Sequence, residues 1–330
     1  MKSHSYIFSF ETLSLKKRKF FGPAAIPVIL GFIFIELLLR FFVPEGHSPS
    51  GHWKNQLTRV KSRQIEQVNK IDLLFAGSSV ASVNIPPESF DDELKKNGTS
   101  LISYNAGIAG TDWQGVAAAF EKVFWKKKKS QYVLFVISPY DLDESSSEVR
   151  ERTLSFVESL NRPSYQLAAV DFFSKIWLFG FRNEIKDFLK TFEWKSEPPS
   201  VVSVRGFTPM YKGCTFNIEY PVAIKNSGDI SGALMSLVSK LNNEGVKVLI
   251  AEALLISRLR KYNEDKLENF YLLIDEMKKY KNVRFLDLSG IIPDDKYFID
   301  PFHLNIEGSD LYSRALARFL LSGDVLKLNR

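Results

Sequence analysis

Three side chains have the types and order that acyl transfer needs: Ser79, Asp300 and His303. A serine hydroxyl attacks a carbonyl poorly until a base takes its proton. That base works best when a carboxylate fixes its tautomer and stabilises the imidazolium that forms. His303 is the only histidine after residue 52, so a serine-plus-histidine mechanism in the folded region has one available base. Asp300 precedes it in Asp300-Pro301-Phe302-His303, a spacing that lets two side chains of one loop face a single cleft. Ser79 ends Gly77-Ser78-Ser79, which closes the apolar run Ile71–Ala76. That run reads as a buried strand and places Ser79 at its C-terminal edge, where open α/β sheets bind ligands. These residues point to acyl transfer or ester hydrolysis.

A second block, Asn105-Ala106-Gly107-Ile108-Ala109-Gly110-Thr111-Asp112, follows the next predicted strand and leads into a helix. Its glycines can expose backbone N–H groups at a helix amino terminus, the geometry that holds the negative oxygen of a tetrahedral intermediate. Gly110 is the preferred donor. A plain strand-to-helix turn at Gly107 and Gly110 is the alternative.

The elements that must position these groups are legible from short apolar runs. Strands are predicted at Ile71–Ala76, Leu101–Tyr104, Tyr132–Ile137, Val246–Ala251 and Val283–Leu288. Helical patterns occupy Asp112–Trp125, Ser231–Asn243, Asn263–Tyr280 and Glu307–Leu321. Such alternation predicts an α/β fold with a mostly parallel sheet covered on both faces. The stretch at about 141–230 is too long for a bare connection and reads as a helical insertion over the strand ends, with aromatic-rich Tyr165–Trp194 and irregular Pro198–Tyr220. It either shapes the substrate site or adds a core layer. Within it, Arg205 of Arg205-Gly206-Phe207-Thr208-Pro209 is a candidate contact for a carbohydrate or carboxylate, set against a plain loop.

The chain has 330 residues and a formal charge of +6, with apolar and charged fractions of an ordinary globular protein. Lys16-Lys17-Arg18-Lys19 precedes an apolar run from Phe20 to Val43, about 24 residues and sufficient for one membrane crossing. Residues 20–43 are therefore expected to be an uncleaved transmembrane anchor, with a cleaved signal peptide as the alternative. The basic cluster puts residues 1–19 in the cytoplasm and everything after residue 43 outside the plasma or inner membrane, in periplasmic or extracellular space. Residues 44–69 read as a stalk, helical from Gln56 onward, and the domain as residues 70–330. Cys214 is the single cysteine, which excludes an intramolecular disulfide. Lys126–Lys129 reads as a solvated run with an affinity for anionic headgroups or polymer left open, and no nucleic-acid motif accompanies it. No metal and no cofactor is expected.

Phe75-Ala76-Gly77-Ser78-Ser79, then Asn105-Ala106-Gly107-Ile108-Ala109-Gly110, then Asp300-Pro301-Phe302-His303-Leu304-Asn305 together resemble the SGNH (GDSL-like) hydrolase superfamily. The likeness is strongest to its membrane-anchored members acting on cell-envelope polymers, such as the alginate acetylation proteins and the D-alanyl transfer protein of teichoic acid synthesis. The resemblance implies a three-layer flavodoxin-like fold with Ser79 as nucleophile, His303 as base and Asp300 as its orienting acid. It also implies an oxyanion hole containing the N–H groups of Ser79 and Gly110. Where the family commonly has Gly-x-Asn-Asp, this chain reads Ser138-Pro139-Tyr140-Asp141, so Tyr140 stands in the place of the asparagine and Asp141 receives no catalytic role. The implied activity is that of a serine esterase or O-acyltransferase on an acylated saccharide or envelope polymer, with a multispanning membrane acyltransferase as a partner of some relatives. A catalytically inactive glycan-binding or scaffold protein of the same fold is the alternative.

Overall fold

Strands buried on both faces need helices on both sides, and the side-chain alternation of the central strands shows which helices cover which face. The structure, a computed structural model, describes residues 53–160, 202–210, 224–225, 228–262, 267–288, 291–292 and 294–323, with residue 27 and residues 30–35. The chain divides into two units. The first comprises Met1–Pro49 and Ala169–Glu197, and its described residues, 27 and 30–35, are helical. Most of the predicted span 20–43, the segment Tyr165–Trp194 and Cys214 lie outside the described residues. Among the described residues no helix is long and apolar enough to cross a membrane.

The second unit begins with α1 (Trp53–Gln67), followed by β1 (Leu73–Gly77), α2 (Ser79–Asn84), α3 (Pro87–Lys96), β2 (Ser103–Asn105) and α4 (Trp113–Ala119), which continues as a π-helical turn, Phe120–Trp125. Then come β3 (Tyr132–Ile137), α5 (Ser147–Leu160), α6 (Asp229–Asn243), β4 (Lys247–Glu252), α7 (Ser257–Tyr262), α8 (Glu268–Lys278), β5 (Val283–Leu286) and α9 (Ile306–Ser322). The sheet has five strands in the order β2-β1-β3-β4-β5, all pairs parallel. This is the flavodoxin-like doubly wound order, in which the chain reverses its direction of travel at the β1/β3 boundary. Leu74, Ala76, Phe135 and Ile250 face a core shared with α4, α6 and α8. Their neighbours Leu73, Phe75, Val136 and Leu249 face the opposite core, shared with α2, α3 and α9.

One expectation changes. The second half of the predicted stalk belongs to the domain, because Thr58, Lys61 and Ile65, one stripe of α1, are buried and the Tyr104 hydroxyl donates to the Lys61 carbonyl at 2.6 Å. The Lys126–Lys129 run stays mostly exposed, as a solvated run should, and makes surface contacts. Lys127 reaches Ser62 O and Glu66, Lys128 reaches Asn69 O, and Lys129 pairs with Glu244 over the Trp125 ring. The Lys127 and Lys128 contacts fasten the end of α1 to the loop before β3, and the Lys129 contact ties that loop to the end of α6. Residues 202–210 lie along the edge strand β2 and reach α2: Asn105 N donates to Arg205 O at 2.8 Å, and Thr208 N to Ser82 O at 3.1 Å. Covering an edge removes its free backbone groups as a template for unwanted pairing.

Candidate active site

β1 ends at Gly77 because no other residue fits there. Its φ is +154°, and a Cβ would lie 2.5 Å from the Val136 carbonyl oxygen of the neighbouring strand. The next residue, Ser78, is buried and its hydroxyl donates to Asp141 Oδ2 at 2.7 Å. Asp141 lies in the tight turn Pro139–Leu142 directly after β3, and its Oδ2 also accepts from Ser138 N at 3.3 Å. Burial pushes this carboxyl up to about 7, against the opposing pull of the Ser78 and Ser138 hydrogen bonds. Ser79, the first residue of α2, is partly exposed. Of the two adjacent serines, Ser78 is committed to a buried carboxyl and Ser79 is the one a ligand can reach.

Asp300 and His303 meet as their spacing suggests. The ring Nδ1 lies 2.8 Å from Asp300 Oδ2 and 2.9 Å from Oδ1. The carboxylate is itself pinned, since Oδ1 accepts the backbone N–H groups of Phe302 at 3.0 Å and His303 at 2.9 Å. A carboxylate can only accept from Nδ1, so the proton of the neutral ring sits there and Nε2 carries the lone pair. Nε2 is buried and finds no hydrogen-bond partner among the described residues. Ser79 is thus not hydrogen-bonded to His303 in this structure.

The histidine loop is nonetheless tied to the serine's helix. Asn84, the last residue of α2 and only 1% exposed, donates from Nδ2 to Phe302 O and accepts from Leu304 N, each at 2.9 Å. One side chain therefore grips the backbone on both sides of His303. Just beyond, Asn305 caps α9 by accepting from Gly308 N at 2.8 Å, which starts the helix immediately after the loop.

The loop after β2 crosses the end of β1, with Ala106 N donating to Phe75 O and Ile108 N to Gly77 O at 2.9 Å. Asn105 anchors it to α2: Nδ2 donates to Ala81 O and Ile85 O, while Oδ1 accepts from Gly107 N. Gly107 lies so close to α2 that a Cβ would be 2.5 Å from Ser82 N. Gly110 takes a positive φ of +74°, and Asp112 caps α4 by accepting from Gln114 N and Gly115 N. Tyr140 stacks edge-on against Phe302 with centroids 4.9 Å apart, which places its ring beside the histidine loop. Burial, reinforced by the Asp143 and Tyr262 charges, raises the Tyr140 hydroxyl well above the usual range.

Arg205 is engaged within the fold. Its guanidinium pairs with Asp91 and donates to Ser103 O, contacts that fasten residues 202–210 to β2. Asn84, Asn105, Asp141 and Lys61 were not assigned roles by sequence reasoning. The first two are short amides, Asn105 just after the predicted strand Leu101–Tyr104 and Asn84 where no element is predicted, a composition signal for local bonding rather than for a site.

No protein-family model matches the chain, and no curated protein matches it. Solved structures similar to it include one described as a platelet activating factor from Streptococcus pneumonia, at 13% identity over 91% of this chain and 100% of that chain, TM-score 0.43. Another is the Clostridium thermocellum family 3 carbohydrate esterase, at 11% identity over 77% of this chain and 96% of that chain, TM-score 0.40. The acetyl xylan esterase AlAXEase is 13% identical over 77% of this chain and 99% of that chain, TM-score 0.39.

Proposed function

We propose that this chain is a membrane-anchored, extracytoplasmic serine esterase or O-acyltransferase acting on an envelope glycan or lipid-linked saccharide through an acyl-Ser79 intermediate. The observation that carries it is the His303 ring: Nδ1 held by a pinned Asp300, Nε2 buried without a partner among the described residues, and the whole loop tied by Asn84 to the helix that Ser79 begins. A base so arranged is ready to take a proton at Nε2 and is idle until a hydroxyl comes within reach. Catalytic hydrogen bonds that are long or absent without substrate tighten in the complex.

In the proposed reaction Ser79 Oγ attacks the acyl carbonyl while its proton passes to His303 Nε2, and Asp300 stabilises the imidazolium. The bond from the carbonyl carbon to the departing alcohol oxygen then breaks, and that oxygen takes the proton from His303. A water or a sugar hydroxyl next attacks acyl-Ser79, with His303 again as base, and the Ser79 hydroxyl is restored. Water as acceptor gives hydrolysis and a sugar hydroxyl gives transfer. The Ser79 and Gly110 N–H groups, with the Tyr140 hydroxyl in place of the family's asparagine, are the proposed donors to the oxyanion. The basic cluster before residues 20–43 supports the anchor and its orientation. A multispanning acyltransferase is the proposed source of acyl groups if transfer is the reaction.

The test is hydrolysis of a chromogenic acetyl ester by the full chain beside Ser79→Ala and His303→Ala. Both variants should lose activity while folding normally; a Ser79→Ala variant as active as the parent refutes the acyl-serine reading. A noncatalytic glycan-binding protein is the second reading, favoured by the missing Ser79–His303 hydrogen bond, and an inert parent chain that retains glycans would establish it.

A further inference from the structure

Lys61 is an anomaly that the proposed reaction does not yet use. It sits on α1, before the sheet begins, and is 1% exposed. Its Nζ donates to Gly107 O at 2.6 Å and to Ser82 Oγ at 2.9 Å. The first acceptor belongs to the loop that carries Gly110, and the second lies one helical turn beyond Ser79 on α2. Ser82 Oγ in turn donates to Thr208 Oγ1 at 3.3 Å. Beside the ammonium is a cavity of about 10 Å³ lined by Leu57, Thr58, Ser82, Gly107, Ile108 and Ala109, near the lower limit for one water. Thr58 Oγ1 is buried there with no hydrogen-bond partner among the described residues.

Burying an ammonium away from carboxylates costs several kcal/mol in general, and a fold that merely needed filling would use an aliphatic side chain. Both Lys61 acceptors instead belong to the two segments whose relative placement sets the distance from Ser79 to the oxyanion donors. We propose that Lys61 is a positioning residue for the reaction at Ser79, fixing the Asn105–Asp112 loop against the Ser79–Asn84 helix by donating to Gly107 O and Ser82 Oγ together. This rests on the acyl-Ser79 reading and extends it to a residue on α1, ahead of the sheet in the sequence.

The geometry carries a pH dependence. Burial alone lowers the Lys61 ammonium from 10.5 to about 7. Among the described residues, Lys61 is the one titratable side chain lining the cavity from α1, from α2 and from the Asn105–Asp112 loop. The charged form has three donors, enough for both acceptors and a third partner in the cavity, whereas the neutral amine has two donors and a lone pair. Raising the pH through about 7 therefore weakens the tie, and the buried positive charge near Ser79 is lost with it.

The experiment compares the full chain, reconstituted in phospholipid vesicles, with Ser79→Ala, Lys61→Met and Lys61→Gln. It reads kcat and KM for a chromogenic acetyl ester from pH 5.5 to 9, with circular dichroism to normalise for folded protein. Lys61→Met should lower kcat at least tenfold near pH 6 with KM within about twofold, and should lose the decline in kcat that the parent shows above about pH 7. Lys61→Gln, whose amide can still donate to one acceptor, should recover part of kcat without restoring that pH limb. Should Lys61→Met fail to fold, Lys61→Gln and Ser82→Ala carry the comparison, each with a severalfold loss in kcat and an altered profile. Folded variants with parental kcat and an unchanged profile overturn the positioning role while an inactive Ser79→Ala leaves the acyl-serine reading intact. A Ser79→Ala variant that stays active overturns both.

Discussion

Asn84→Ala tests how the histidine loop is held. The amide makes two hydrogen bonds of 2.9 Å, one to Phe302 O and one from Leu304 N, and both Asn84 and Leu304 are 1% exposed. Removing the side chain takes this acceptor from the buried Leu304 N–H and this donor from the half-buried Phe302 carbonyl. Each such loss costs about 1–3 kcal/mol, so the variant should be destabilised by roughly 2–4 kcal/mol, with the half-buried carbonyl at the low end. Asn84→Asp keeps the acceptor for Leu304 N but sets a buried carboxylate against Phe302 O, so near neutral pH it should be destabilised at least as much as Asn84→Ala. The assay is urea unfolding of the two variants and the parent, followed by tryptophan fluorescence with the slope held in common. Because the same bonds fix the position of His303, ester hydrolysis by folded Asn84→Ala should also fall at least tenfold. A stability change below about 0.5 kcal/mol, the range of an ordinary surface substitution, would refute the clamp.

Ser78→Ala removes a hydrogen bond to a buried carboxyl but no proposed reacting group, so it should change turnover far less than Ser79→Ala; the reverse order in ester hydrolysis would mean that the wrong serine has been assigned. Burial raises Asp141 from 3.8 to about 7, so the folded chain keeps a proton there that the unfolded chain releases, and this group's contribution to stability falls as pH rises through that window. Asp141→Asn should therefore gain stability on the parent between pH 4 and 7, by up to roughly 4 kcal/mol at about 1.4 kcal/mol per unit, and a gap that does not change with pH denies the shift. The sign is opposite for Lys61: the unfolded chain holds its proton to about 10.5 and the folded chain releases it above about 7, so the parent should gain roughly 2–3 kcal/mol on Lys61→Met between pH 7 and 9 in the same melts. Tyr140→Phe should lower kcat far more than it changes KM if the hydroxyl serves the oxyanion, and an unchanged kcat removes it from that role.

The fold was legible where burial is symmetric. β3 runs Tyr132–Ile137 as its apolar run does, because the central strand is covered on both faces and has no polar position to blur its ends. β1 begins two residues later than its apolar run, since Ile71-Asp72 belongs to the approach, where Asp72 bonds the neighbouring backbone at Ile102 N. The pattern read as one helix over Asn263–Tyr280 starts in the structure at Glu268, after a separate short helix, Ser257–Tyr262. Of the candidate site, the Asp300–His303 contact followed from local spacing. Asn84 and Asn105 did not, because their partners at Phe302, Leu304 and Ala81 are chosen by tertiary packing. Nor did α1 announce its docking: its buried stripe of Thr58, Lys61 and Ile65 includes a lysine, and a lysine reads as surface in any hydrophobic pattern.

The most direct measurement of the central claim is peptide mapping by tandem mass spectrometry after treating the full chain with a fluorophosphonate. A single adduct on Ser79 is expected, formed rapidly by the parent, slowly by Asn84→Ala and not at all by His303→Ala. An adduct on Ser78 or another residue, or labelling of Ser79 that proceeds at the parental rate without His303, would contradict it.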